Sequence, residues 1–237
     1  MMQWLMNLEW DAIIQIIIID ILLGGDNAVI IALACRNLPP NLRRKGIFWG
    51  AAGAIILRVI LITVAVALLQ VPFLKLVGGL LLLWIGVKLL MPQEEEEGHT
   101  KIEASDKLWS AIKTIIVADL VMSLDNVVAI AGAAEHADPS QRTGLIIFGL
   151  LVSVPFIVFG SQIILKLLDR FPIIILIGGA LLGWIAGGLM VTDPIAVPVI
   201  PQTDLIRYVA SGLGAAFVVV VAKVLAARRV RGAHAGH

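Results

Sequence analysis

Apolar residues fall in runs long enough to cross a bilayer, at about 11–34, 47–70, 73–91, 112–135, 143–166, 173–191 and 204–226. Each is close to the ~20 residues a helix needs to span a ~30 Å hydrocarbon core. The pattern predicts an all-α, polytopic membrane protein with seven transmembrane helices. Between the second and third runs stands "QVPF", where Pro72 ends one helix and permits a tight reversal. The longest polar stretch, roughly 92–110, is too short to bury a core of its own. Residues 1–237 are therefore expected to form a single transmembrane domain with one acidic cytoplasmic linker.

Composition agrees: 59% of residues are hydrophobic and the mean hydropathy is +0.99, far above the soluble range. A net charge of +1 with no basic face argues against nucleic acid as a partner. The lone Cys35 rules out an internal disulfide and a thiolate metal site. The N-terminal "MMQWLMNLEWD" lacks a basic n-region and a cleavage site, so the first span is expected to be retained. Orientation follows from the basic residues. With the N-terminus outside and the C-terminus inside, the clusters at Arg36–Lys45, Lys88–Lys113, Lys166–Arg170 and Lys223–Arg231 all face the cytoplasm. Only Lys75, Arg142 and Arg207 lie outside, and Arg58 sits within a span.

The chain also repeats. "LVGGLLLLWIG" at 76–86 resembles "LIGGALLGWIA" at 176–186, and "DILLGGDN" at 20–27 shares its Asp-x5-Asp-Asn spacing with "DLVMSLDN" at 119–126. Repeat one covers about 11–91 and repeat two about 112–191, each holding three helices. Three is odd, so the copies are expected to be inverted, an arrangement that places transporter sites near the midplane. The seventh helix, about 204–226, lies outside the repeat and reads as packing or closure.

Four intramembrane acids oppose insertion by about 10–14 kcal/mol if simply added, so they need a compensating role. Asp20, Asp26, Asn27, Asp119, Asp125 and Asn126 offer hard oxygen ligands suited to Mn²⁺, Mg²⁺ or Ca²⁺. The four histidines, His99, His136, His234 and His237, fall in loops or the tail. Asp26 lies ~15 Å from the cytoplasmic face by helical rise, near the midplane. Straight helices would string the acids across the membrane, with Asp119 met first, Asp26 and Asp125 central, and Asp20 last. Gly24 and Gly25 are expected to unwind the first motif helix and expose carbonyls, while Ser123 is the second repeat's accessory oxygen. Arg58 is too deep to snorkel and needs a partner, expected among the aspartates. Crowded carboxylates share protons when empty, which makes metal/proton exchange a natural coupling.

At "GGDNAVIIAL" and "SLDNVVAIAG" the sequence resembles the TerC family of integral membrane proteins, over nearly the whole chain. The resemblance implies a seven-helix transporter of the bacterial plasma membrane, related to exporters of Mn²⁺, with Asp20, Asp26, Asp119, Asp125, Asn27 and Asn126 as motif residues. It implies no cofactor, with Mn²⁺ as transported substrate. The expected function is thus metal export by a secondary transporter. A Ca²⁺ or Mg²⁺ transporter, and a non-transporting scaffold for secretion or metal-loading partners, are the alternatives, and the oligomeric state stays open. No nucleotide-binding motif and no intramembrane nucleophile–base pair points to an enzyme.

Overall fold

A computed structural model of the protein describes residues 10–69, 71–91, 101–134 and 142–235. Outside the described residues lie 92–100 of the acidic linker, His99, His136 and His237, and the side chain of Asp125. Eight helices account for the regular structure over the described residues: α1 Trp10–Leu23, α2 Gly25–Cys35, α3 Pro40–Leu69, α4 Leu74–Leu90, α5 Lys101–Ala134, α6 Arg142–Arg170, α7 Ile173–Val191 and α8 Asp204–Ala235. In lipid a segment must satisfy its own backbone hydrogen bonds, so even the β-branched "IIQIIIID" is helical.

The apolar runs fall on helices wherever they are described, with three departures from expectation. The first run is divided at Gly24 into α1 and α2. α3 starts at Pro40, ahead of its apolar run, because proline suits the first helical position. α5 starts at Lys101, so the end of the expected linker is helical. Among the described residues, length and apolarity alone single out four spans, Pro40–Ile62, Gly144–Arg170, Ile173–Val191 and Asp204–Arg228, and a fifth if α1 and α2, bent by 49°, count as one. Of the other expected spans, α4 has 17 residues and rises only about 25 Å. The first turns of α5 are charged, and the helix carries Asp119 and Asp125 further along.

Packing is reciprocal between the two halves. A Cβ on Gly50 would strike Ile115, and one on Gly149 would strike Ile16; the members of these two contacts correspond at a spacing of 99 residues. Gly79 likewise receives Met190 and Gly179 receives Leu90, corresponding at 100. These close approaches bring α3 onto α5, α6 onto α1, and α4 onto α7. α8 packs on α7, where a Cβ on Gly183 or Gly187 would meet the backbone of Gly214 or Ala210.

Two tertiary contacts fix the helix ends. At one end Arg43 Nη1 lies 2.8 Å from Asp169 Oδ2. At the other, the buried Asp193, just past α7, accepts from the backbone N–H of Phe73 at 3.0 Å and Leu76 at 3.1 Å, and from Ile195 at 2.9 Å. Those first two amides belong to the start of α4, which has no side-chain cap of its own, so an acid some 120 residues away supplies the cap. Large apolar side chains such as Leu22, Ile56, Phe159 and Leu213 remain exposed, in keeping with a lipid-facing surface.

Candidate functional site

Two of the four motif acids are tied to one cation. Arg58, on α3 and 2% exposed, pairs through Nη1 with Asp20 Oδ1 of α1, and through Nη2 with Asp119 Oδ1 of α5 at 2.6 Å. Its Nε donates to Ser123 Oγ at 3.1 Å, and Ser123 donates at 3.1 Å to Asp119 Oδ2, one helical turn away. Ser153 of α6 donates to Asp20 Oδ2. Side chains of two helices, α1 and α5, thus satisfy the buried guanidinium of α3 at each of its three nitrogens, and α6 joins the network through Asp20; such pairing is the condition under which a charge persists away from water.

This geometry meets the expectation that Arg58 pairs with an aspartate and corrects the straight-helix placement of the acids. Asp119 and Asp20 are not opposite ends of a path, since one guanidinium joins them. Projection along straight helices overlooks the bend at Gly24 and the reach of arginine. Ser123, the second repeat's accessory oxygen, is placed in the ion-pair network.

The bend has a local cause. Gly24 sits between α1 and α2 with φ −100° and ψ 4°, and its N–H still bonds the Asp20 carbonyl at 2.7 Å. A Cβ at Gly24 would collide with that carbonyl, whereas one at Gly25 would meet nothing within 4 Å. Of the glycine pair, only Gly24 is required by close approach. The second motif behaves differently, because α5 runs unbroken through Ser123, Leu124 and Asp125.

Past the bend, Asp26 lies in the first turn of α2, its Oδ1 accepting from the Asn27 N–H at 2.9 Å. It lines a cavity of about 200 Å³ together with Asn126 and Met122 of α5 and Ser211 and Arg207 of α8. One residue from each motif therefore reaches a common space. Beside it, Asn27 is 5% exposed and neither its Nδ2 nor its Oδ1 has a hydrogen-bond partner. A buried carboxamide with both ends unmet is rare and calls for a role. Among the described residues no three His, Cys, Asp or Glu side chains converge, and the other described oxygen-bearing side chains of the cavity, Asn126 and Ser211, are neutral. One turn beyond Asp26, Ile30 joins a tight apolar cluster with Leu82, Ala118, Val121 and Leu182. Met122 and Leu189 belong both to that cluster and to the cavity wall.

The sequence alone reads α8 as packing or closure, and the structure adds its Ser211 and Arg207 to the cavity wall. The one sequence signal for that approach is the small-residue run "ASGLGAA" at 210–216.

A chain whose described regular structure is all helical, with several apolar spans, many exposed apolar side chains and a buried ion-pair network, is an integral, multi-pass membrane protein. It belongs to the integral membrane protein TerC family, whose family model matches residues 6–231. The chain is 43% identical to the uncharacterized membrane protein YjbE of Bacillus subtilis (strain 168) over 189 residues, 78% of this chain and 83% of that protein. It is 25% identical to the uncharacterized membrane protein YceF of the same strain over 171 residues, 69% of this chain and 64% of that one. To the UPF0053 inner membrane protein YoaE of Escherichia coli (strain K12) it is 29% identical over 183 residues, 68% of this chain and 35% of that protein. No solved structure matches the chain.

Proposed function

We propose that the protein is a secondary transporter that exports a divalent metal ion, Mn²⁺ foremost, across the bacterial plasma membrane. The observation that carries this reading is the shared cavity: Asp26 of the first motif and Asn126 of the second line one space, and the residue after Asp26 is the buried, unsatisfied Asn27. A carboxylate with carboxamide and hydroxyl oxygens suits a hard divalent cation. Asp125 joins this set by its place in the motif. Asp20 and Asp119, which share the single positive charge of Arg58, hold the motif helices together at the site's flank.

The chain would cross seven times, with α1 and α2 as one broken span, N-terminus outside and C-terminus inside. The Gly50–Ile115 and Gly149–Ile16 contacts support two inverted repeats, because a two-fold relation carries one into the other. The pairing of Phe73 with Asp193 at one end and Arg43 with Asp169 at the other accords with this alternation of loops. Alternating access needs a site open on one side and closed on the other. Arg207 and Ser211, near the start of α8, line the cavity, and in this reading the Ile30 cluster, which shares Met122 and Leu189 with the wall, is the closed side. Inward-facing exchange would open that cluster while protons return on the emptied carboxylates.

The test is Mn²⁺ uptake into inverted membrane vesicles by the unaltered protein, Asp26→Asn and Asp125→Asn at matched membrane levels. Uptake by the first and its loss in both variants is the expected result. Equal uptake by all three would place the site elsewhere, and uptake of Ca²⁺ but not Mn²⁺ would reassign the substrate.

A further inference from the structure

A second cleft, of about 350 Å³, opens where the ends of α2 and α4 meet the start of α7 and the later turns of α8. Its wall includes the apolar Leu90, Ile175, Leu176 and Ala222, and its charges among the described residues are Arg36 and Lys223, with no carboxylate among the described lining residues. The nearby Asp169 is engaged by Arg43. Arg36 Nη1 is buried and has no hydrogen-bond partner, an expensive state for a cationic donor. An acceptor seated in the cleft would meet that need after a small rotation of the guanidinium.

We propose that this cleft seats the phosphate of an anionic phospholipid between Arg36 and Lys223, with an acyl chain along Leu90, Ile175 and Leu176. Charge selects a phosphate, and the apolar wall selects one that carries hydrocarbon. The position fits too, because the cleft lies at helix ends, where headgroups sit, and the neighbouring Ile173 and Val224 are exposed toward lipid. Basic pockets between spanning helices at this level are suited to anionic headgroups. On the orientation proposed above, the lipid belongs to the cytoplasmic leaflet. The site shares no residue with the Asp26 cavity.

Native mass spectrometry of the full chain in neutral detergent tests the assignment by comparing retained phosphatidylglycerol with phosphatidylcholine. Preferential retention of phosphatidylglycerol is expected, weakened about fivefold for each basic residue removed and about 25-fold in Arg36→Gln/Lys223→Gln. If the double variant does not fold, the exposed Lys223 still permits Lys223→Glu, which should weaken retention at least as much as Lys223→Gln. Equal retention of the two lipids, or unchanged retention in the variants, would overturn the proposal. Displacement of phosphatidylglycerol by millimolar inorganic phosphate would also overturn it, by showing a site for the free anion. Asp26→Asn should bind the lipid normally, so failure of the transport reading leaves this result intact.

Discussion

Arg58 Nη2 and Asp119 Oδ1 lie 2.6 Å apart with both side chains almost wholly buried. The same guanidinium holds Asp20 from the other repeat. The position 99 residues after Arg58 is Ile157, so this cation has no counterpart in the second repeat. The two matching motifs therefore do unlike work: their leading aspartates share one arginine, while Asp26 opens onto a cavity with Asn126.

Removing the cation should damage the fold more than removing the whole network. Arg58→Gln leaves two buried carboxylates without their partner and is expected to cost about 3–5 kcal/mol in denaturant unfolding in detergent. Adding Asp20→Asn and Asp119→Asn to that variant should recover most of the loss, because neutral amides can bond one another and the flanking Ser123 and Ser153. A triple variant less stable than Arg58→Gln would show that the network is not the stabilising unit.

The acids should also separate by phenotype. Asp26→Asn is expected to weaken Mn²⁺ binding by about 10–100-fold, the scale for disturbing a metal site, with little change in melting temperature. Asp20→Asn should do the reverse, lowering the melting temperature while leaving affinity within a few-fold. Calorimetric Mn²⁺ titration alongside thermal unfolding of each purified variant makes the comparison. Equal losses of affinity in both would return Asp20 to the ligand set.

Much of this could be read in one dimension. Apolar runs give helices because lipid leaves the backbone no other partner, and a glycine pair inside such a run marks a bend, as Gly24 does. The depth of Arg58 required an anion. What could not be read was the choice of anions, since projection along straight helices set Asp20 and Asp119 on opposite sides of the midplane. Asp193 was hidden for a different reason. A cap delivered across some 120 residues leaves no trace in the local spacing around either Phe73 or "TDP". The cavity role of α8 depends on Gly183 and Gly187 admitting its backbone, which is a tertiary fact.

Met122 stands four residues, one turn, before Asn126 and lines the same cavity. A thioether favours softer transition metals over Ca²⁺ and Mg²⁺. Met122→Leu conserves volume and should change stability by less than about 1.5 kcal/mol. It is expected to lower the ratio of Mn²⁺ to Ca²⁺ transport several-fold in competition uptake. An unchanged ratio would leave Met122 as packing in the Ile30 cluster.

Asp193 gives the protein an acid-sensitive joint. Burial alone would raise its pKa, but the backbone N–H groups of Ile195, Leu76, Phe73 and Lys75 outweigh burial and hold the carboxyl below the usual carboxylate range. A folded-state pKa depressed in this way stabilises the protein at pH values above the unfolded carboxyl's, near ~3.9. The contribution then fades as pH falls through the lower folded value. It also steadies Phe73, whose φ of 67° is unusual for a residue with a side chain. Asp193→Ala is therefore expected to lose about 1–2 kcal/mol at neutral pH, the range for a lost helix cap. The gap between the melting temperatures of the unaltered protein and Asp193→Ala should stay constant from pH 7 to 5 and shrink below about pH 4. A gap that persists undiminished in acid would mean that side-chain shape, and not the carboxylate charge, holds α4 to the end of α7.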